Sequence, residues 1–125
     1  SVLSDEFTMI DPATGLITGW PRPVRIKHEG RIDRLHLATT SEPLPVSLLA
    51  FLVHEEGAEN RWSEIPQAEA LVELLGHTIT TRTRPDDTFD AALGVVRSCR
   101  AISGVRGEAP AAIDSLIRLL AESTT

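Results

Sequence analysis

The sequence predicts an α+β fold, a single two-layer domain with a mainly antiparallel sheet in the first half and about three helices in the second half. Three observations lead to this prediction. The chain has 125 residues and is 42% apolar, which suits one globular domain over residues 1–125. Short segments of the first half alternate between apolar and polar residues, as strands do. The second half repeats apolar residues at the spacing of amphipathic helices.

The start of the chain combines an irregular segment with a turn and a short strand. Residues 1–10 show no apolar periodicity, so we expect a loose N-terminal arm. Asp11–Gly15 contains a proline, which fixes one φ angle, and a glycine, which can adopt positive φ. This segment therefore predicts a turn into Leu16–Trp20, a short candidate strand.

Two alternating segments follow and predict a β-hairpin. Val24–His28 and Arg31–Thr39 have the period of strands, and Glu29-Gly30 between them suits a tight turn. A two-residue loop would set Arg25 opposite Arg34. Because like charges in cross-strand positions repel, a bulge or a longer turn remains an alternative.

The segment Val46–Glu55 is apolar at both odd and even positions. A strand covered on both faces has this pattern, but a buried leucine-rich helix has it too. The prolines before it and the glycine after it favour a strand. Arg61–Ile65 is then expected to return antiparallel to that strand through a turn over Glu56–Asn60.

The second half predicts three helices and one more strand. Pro66–Leu75 has a helical apolar stripe and a glycine at its C-terminal end. His77–Arg84 is rich in threonine, lacks helical periodicity and predicts a strand. A second helix is expected from Pro85 to about Ser103, and Gly104–Gly107 breaks the chain before a third helix that begins near Pro110. The apolar stripe of the third helix is predicted to be Ile113, Leu116, Ile117 and Leu120.

The charge balance and the apolar runs disfavour several classes of partner. The net charge is −6 and aromatic residues make up 4% of the chain, so nucleic acid is an unfavourable partner. The longest nearly unbroken apolar run, Leu44–Val53, is about half the ~20 residues that a membrane span needs, so no membrane insertion is expected. The single cysteine rules out an intrachain disulfide and multi-cysteine metal sites. The default location is therefore a reducing cytoplasm.

Histidines and carboxylates give only weak candidates for catalysis. His54-Glu55-Glu56-Gly57-Ala58 begins like a zinc-protease motif, but the motif needs a second histidine where Ala58 stands. The four histidines match no compact metal-binding spacing, so we expect neither a metal nor a cofactor. A small enzyme or ligand-binding domain could still gather a pocket from remote positions. The candidates for that pocket are Arg34, His36, His54 and Glu55.

Two further motifs have structural explanations. Cys99 has arginine neighbours, which favour a reactive thiolate, but its place on the apolar stripe of the second helix predicts a buried, unreactive thiol. Gly104-Val105-Arg106-Gly107 has the glycine spacing of loops that clamp a nucleic-acid backbone. A turn between two helices explains both glycines equally well.

The most distinctive local feature is the positive charge of the predicted hairpin, where five cations stand against the carboxylates of Glu29 and Asp33. Acidic residues concentrate elsewhere, between Glu55 and Glu64 and at Asp86-Asp87. We therefore expect the hairpin to bind an acidic surface, on a protein partner or on a second copy of the chain. The residues expected to make this contact are Arg22, Arg25, Lys27, Arg31 and Arg34.

These features predict a small cytoplasmic module that acts through protein–protein contacts or self-association, without catalytic activity of its own. A homo-oligomer, most simply a dimer, is expected because Val46–Val53 has apolar side chains on both faces of its strand. A two-layer fold buries only one face of its sheet. The predicted strand His77–Arg84 would add an open edge. Apolar burial must supply most of the affinity, since an exposed ion pair contributes only about 0–1 kcal/mol.

Overall fold

The computed structural model describes residues 8–19, 24–35 and 42–122. In these ranges the chain has the predicted α+β fold, with strands mainly in the first half and helices mainly in the second. Among the described residues, no helix combines the length and the apolar composition that a membrane crossing requires. The elements are β1 (Thr8–Ile10), β2 (Ile17–Gly19), β3 (Val24–His28), β4 (Arg31–Leu35), β5 (Leu48–His54), β6 (Arg61–Glu64), α1 (Gln67–Gly76), a 3₁₀ turn (Ile79–Thr81), α2 (Pro85–Ser98), β7 (Arg100–Arg106) and α3 (Ala109–Glu122).

β1 and β2 form a two-stranded antiparallel sheet around the predicted turn. The Gly15 N–H donates to the Asp11 carbonyl at 2.8 Å, and Gly15 has a φ of 71°, which glycine adopts without strain. Gly15 lies against the backbone of Gly94 in α2, so this turn packs directly on that helix. The prediction of a loose arm is wrong for residues 8–10, which pair with β2, and residues 1–7 lie outside the described ranges.

β3 and β4 form the predicted hairpin with a two-residue loop. Glu29 and Gly30 have φ angles of 43° and 80°, the two positive values of a type I′ turn, whose twist matches that of the strands it joins. The register sets Arg25 opposite Arg34, which removes the alternative of a bulge or a longer turn. The predicted continuation of β4 over 36–39 lies outside the described ranges.

The central sheet has three strands in the order β5-β7-β6. β5 confirms the strand predicted within Val46–Glu55, and the helix alternative is excluded. β7 lies between the other two strands, parallel to β5 and antiparallel to β6. The strand predicted over Arg61–Ile65 is therefore present as β6, but its expected pairing with β5 is wrong, because β7 occupies that position.

β7 lies where the sequence predicts the end of the second helix and a break. α2 ends at Ser98, and Cys99 turns the chain into an extended conformation, with φ −135° and ψ 166°. The apolar spacing of this segment suits a helix, but a strand between two others satisfies its backbone on both sides and buries Ala101 and Ile102 on opposite faces. Gly104, expected in a turn between helices, lies within this strand.

The threonine-rich segment is not the strand predicted over His77–Arg84. It contains the 3₁₀ turn, and its hydroxyls bond locally. Thr78 Oγ1 donates to the Leu74 carbonyl at 2.6 Å, and Thr81 Oγ1 donates to the Leu75 carbonyl at 2.8 Å. Such side-chain bonds to nearby carbonyls compete with strand formation, so the open edge expected of this segment is not formed.

α1 and α2 pack on one face of the central sheet. Ala70 of α1, Val96 of α2 and Ala101 of β7 are buried together, and Leu49 and Phe51 of β5 pack against them. Because side chains alternate along a strand, odd-numbered residues of β5 and β7 share this face. Even-numbered residues of both strands lie on the opposite face of the sheet.

α3 does not bury the apolar stripe that the sequence predicts. Ile113 and Ile117 are exposed, whereas Ala112 is buried and Leu116 is half-buried. α3 is oriented so that Ala112 faces the interior of the protein. The small side chain of this residue lets the helix pack closely there. One side of α3 borders an open groove of about 360 Å³ that Trp62 of β6 also lines.

Candidate functional site

The basic face of the hairpin, as we name it, consists of Arg25, Lys27 and Arg34. All three are exposed, and Arg25 pairs with Arg34 while Lys27 pairs with Ile32. Cross-strand partners share a face, and so do alternate residues of one strand, so the three cations lie on one side of the hairpin. Directly opposed residues have Cβ atoms about 4.5–5.5 Å apart. Two guanidinium groups and an ammonium group are therefore within reach of one anionic ligand.

No carboxylate among the described residues forms an ion pair with the basic face. Within the hairpin, Asp33 follows the alternation onto the other face, and Glu29 occupies the turn. Like charges directly opposite one another destabilise a strand pair by about 0.2–1 kcal/mol. The hairpin therefore carries an electrostatic cost that a bound carboxylate would remove.

The structure brings together three of the five cations that the sequence predicts to bind a partner. Arg31 is exposed but belongs with Asp33 on the opposite face of the hairpin. Arg22 lies outside the described residues. The basic face is thus smaller and more sharply defined than the charge count of the hairpin suggests.

The pocket predicted from four remote residues has no supporting contact among the described residues. His54 Nε2 lies 3.7 Å from Glu108 Oε1, and Glu55 Oε2 lies 4.0 Å from Arg61 Nη2. Arg34 is in the hairpin, and His36 lies outside the described ranges, so this pocket stays a prediction. In the part of the chain that the structure describes, no three histidine, cysteine or acidic side chains are grouped as metal ligands.

A groove of about 430 Å³ lies beside β5 and the C-terminal end of α1. Phe51 and Val53 line it from the sheet, and Glu73 of α1 and His77, the residue after that helix, line it from the other side. The His77 ring stacks on Phe51, with centroids 6.1 Å apart and planes 18° apart, and His77 Nε2 lies 3.9 Å from Glu73 Oε2. Sequence reasoning missed this groove because it placed His77 in a strand. The one signal for it was the four-residue spacing of Glu73 and His77, typical of helix neighbours.

Cys99 is the residue after α2 and is half-buried, so its predicted place within the helix is wrong. Burial raises the pKa of its thiol above the ordinary value. Because the thiolate is the reactive form, we expect a thiol reagent to label the native protein more slowly than the urea-unfolded chain at neutral pH. Equal rates in the two states would contradict this expectation.

The same shift in the Cys99 pKa makes stability depend on alkaline pH. The unfolded chain releases the thiol proton at lower pH than the folded protein. The contribution of the protonated thiol to the free energy of unfolding is therefore complete at pH values below the pKa of the unfolded chain. It is lost as the pH rises from there through the raised folded pKa. Urea denaturation of the wild type and of Cys99→Ser across that range measures this loss, which should be absent in the serine variant.

The basic face is the described feature with the clearest chemistry, since exposed guanidinium groups bind carboxylates through charge-assisted and bidentate hydrogen bonds. Its position on a two-stranded hairpin, rather than in a closed cavity, suits contact with a surface. Comparison of the chain with known protein families, with curated proteins and with solved structures finds no match.

Proposed function

We propose that the protein is a small cytoplasmic binding and assembly module without catalysis of its own, and that its basic face docks an acidic surface of another protein. The observation that supports this proposal is the direct opposition of Arg25 and Arg34, with Lys27 beside them and no paired carboxylate among the described residues. A repulsive arrangement on an exposed hairpin is explained by an anion that binds there.

A protein surface fits this site better than nucleic acid does. The chain has a net charge of −6, which repels a polyphosphate at long range. Residues 24–35 contain no phenylalanine, tyrosine or tryptophan side chain on which a base could stack. A local acidic patch on a protein can contact the three cations and carries much less negative charge than a polyphosphate. The net negative charge of the chain therefore repels it less.

A different protein also fits better than Glu55, Glu64, Asp86 and Asp87 of a second copy. Glu64 is held by Arg100, whose Nε and Nη2 both lie 2.6 Å from Glu64 Oε1. Glu55 lies near Arg61. Asp86 and Asp87 lie in the first turn of α2, where the helix dipole favours negative charge. These carboxylates already have favourable partners within the chain.

The test is binding of a labelled oligo-glutamate peptide, followed by fluorescence anisotropy. We expect the double variant Arg25→Gln/Arg34→Gln to bind about tenfold more weakly, since two exposed ion pairs contribute about 0–1 kcal/mol each. The matched control is Arg97→Gln/Arg118→Gln, which changes the net charge equally at two exposed positions outside the hairpin. Its affinity should equal that of the wild type, and affinity should fall as salt is added.

Three results would overturn the proposal. They are equal weakening by both double variants, tighter binding of an oligonucleotide than of the peptide, and no binding of the peptide at low salt. Thermal and urea denaturation provide an independent readout. Arg34→Gln should leave the free energy of unfolding unchanged or raise it by up to about 1 kcal/mol, because it relieves a like-charge pair.

A further inference from the structure

β5 has an outer edge whose backbone groups are not used by the central sheet. The Ser47 carbonyl accepts from the Arg100 N–H, and the Glu55 N–H donates to the Arg106 carbonyl, so odd-numbered residues of this segment face β7. In a parallel pair, alternate residues direct both backbone groups to opposite sides. The N–H and carbonyl groups of the even-numbered residues therefore point outward. These residues are Leu48, Ala50, Leu52 and His54.

The outer edge lacks the features that keep exposed strands apart. β5 is seven residues long, apolar from Leu48 to Val53, and contains neither proline nor a lysine or arginine. Among the residues that the structure describes, no strand pairs with this edge. Natural edge strands are blunted by charge, proline, bulges or short length, and a long apolar edge is a template for another strand. Val53, with 68% of its surface exposed, marks the unprotected end.

We propose that a second copy of this chain pairs with β5 through the same edge, with the two β5 strands antiparallel and a two-fold axis at Phe51. The result is a continuous six-stranded sheet across a symmetric dimer, with the two β5 strands at its centre. The proposal goes beyond the proposed function, and it uses a surface separate from the basic face.

The register follows from the outward-pointing residues. Pairing Ala50 with the partner's Leu52, and Leu48 with the partner's His54, lets each outward N–H and carbonyl meet its counterpart. Phe51 then lies opposite the partner's Phe51, in a position where the side chains approach most closely. This register pairs every residue of β5, whereas a shift in either direction leaves residues at both ends without a partner.

The side chains are complementary in the same register. The exposed Val53 meets the partner's Leu49 on the face that α1 and α2 cover, so apolar surface of the groove beside Phe51 becomes buried. Beyond the strand, Glu55 falls opposite the partner's Ser47 and Glu56 opposite the partner's Val46. No acidic residue faces another, so the acidic end of β5 does not oppose the pairing.

Val53→Lys tests the proposal with little risk to the fold, because Val53 is exposed. Light scattering at tens of micromolar should give the wild type a mass near twice 13.6 kDa. Val53→Lys should have a mass near that of one chain, since dimerisation would desolvate the lysine charge beside the partner's Leu49. The matched control is Val72→Lys on α1, which makes the same change at a side chain 71% exposed. It should leave the dimer intact.

Ala50→Pro is a second variant, which should disrupt the dimer by acting on the backbone of β5. The Ala50 N–H points away from β7, so proline removes a hydrogen bond only at the outer edge, where edge strands tolerate it. Circular dichroism checks that both variants keep the fold. The proposal would be overturned by a wild type that stays at 13.6 kDa, by a Val53→Lys variant that still dimerises, by a Val72→Lys control that does not, or by assembly beyond a dimer.

The two proposals fail separately. Arg25→Gln/Arg34→Gln should lose the oligo-glutamate peptide and remain a dimer. Val53→Lys should become a monomer and keep the peptide at the wild-type affinity per chain. If instead wild-type β5 pairs with a strand of a different protein, the purified chain alone is a monomer and the two-fold register at Phe51 is wrong.

Discussion

Replacement of Gly104 by alanine is expected to destabilise the protein by about 3 kcal/mol or more, at the upper end of the effects of overpacking. Gly104 lies in β7 opposite Trp62 of β6. A Cβ atom there would overlap the carbonyl oxygen of Arg61 and lie 2.6 Å from the Trp62 Cα atom. Because these are backbone atoms, no side-chain rotation can relieve the overlap, and β6 must move away from the central strand. Urea denaturation measures the loss.

Gly76→Ala is the matched control for this substitution. Gly76 is the last residue of α1, and no atom lies within 4 Å of a Cβ placed there. Since alanine has the higher helix propensity, by about 1 kcal/mol, this variant should be as stable as the wild type or slightly more stable. If Gly104→Ala and Gly76→Ala unfold at the same urea concentration, the close approach of β6 to β7 is wrong.

Ile102→Ala should cost about 2–5 kcal/mol, the usual range for removing most of a buried isoleucine side chain. Ile102 is 1% exposed and lies in the central strand, with Ala50 and Glu64 as its neighbours in β5 and β6. The substitution removes apolar contacts and leaves a cavity that a paired strand cannot close by moving. We expect a lower midpoint in urea with little change in the slope of the transition.

The corresponding exposed position is Ile79, which is 73% exposed in the 3₁₀ turn. Ile79→Ala makes the same chemical change without a cavity, so its effect should lie within about 0.5 kcal/mol of zero. If both variants lose a similar amount of the free energy of unfolding, Ile102 does not lie in the core.

The sequence predicts the hairpin because its signals are local, but it leaves the register open between a two-residue loop and a bulge or a longer turn. Glu29 and Gly30 can adopt the two positive φ angles of a type I′ turn, and a two-residue loop then sets Arg25 opposite Arg34. The repulsion between the two arginines is a reason to doubt this register, and it is also the feature that points to a bound anion. The positive charge of the hairpin could therefore be identified before the fold, but the separation of Arg31 onto the other side depends on the register.

β7 could not be predicted from local patterns. The apolar residues from Val96 to Ile102 continue the spacing of α2, and only the strands on either side make an extended conformation favourable. A strand buried on both faces lacks the alternation of apolar and polar residues by which strands are recognised. The groove beside Phe51 was missed for a related reason, because it depends on where the end of α1 lies over β5.

The order of the strands in the sheet has a consequence for how the chain reaches its fold. β7 is the central strand, yet it is the last strand in the sequence, after α1 and α2. During synthesis β5 and β6 therefore emerge before the strand that joins them, and the sheet cannot grow strand by strand from the N-terminus. Closing the long connection between β5 and β7 has an entropic cost before any pairing rewards it. The apolar β5 is thus most vulnerable to wrong pairing on the ribosome, in the interval before residue 106 emerges.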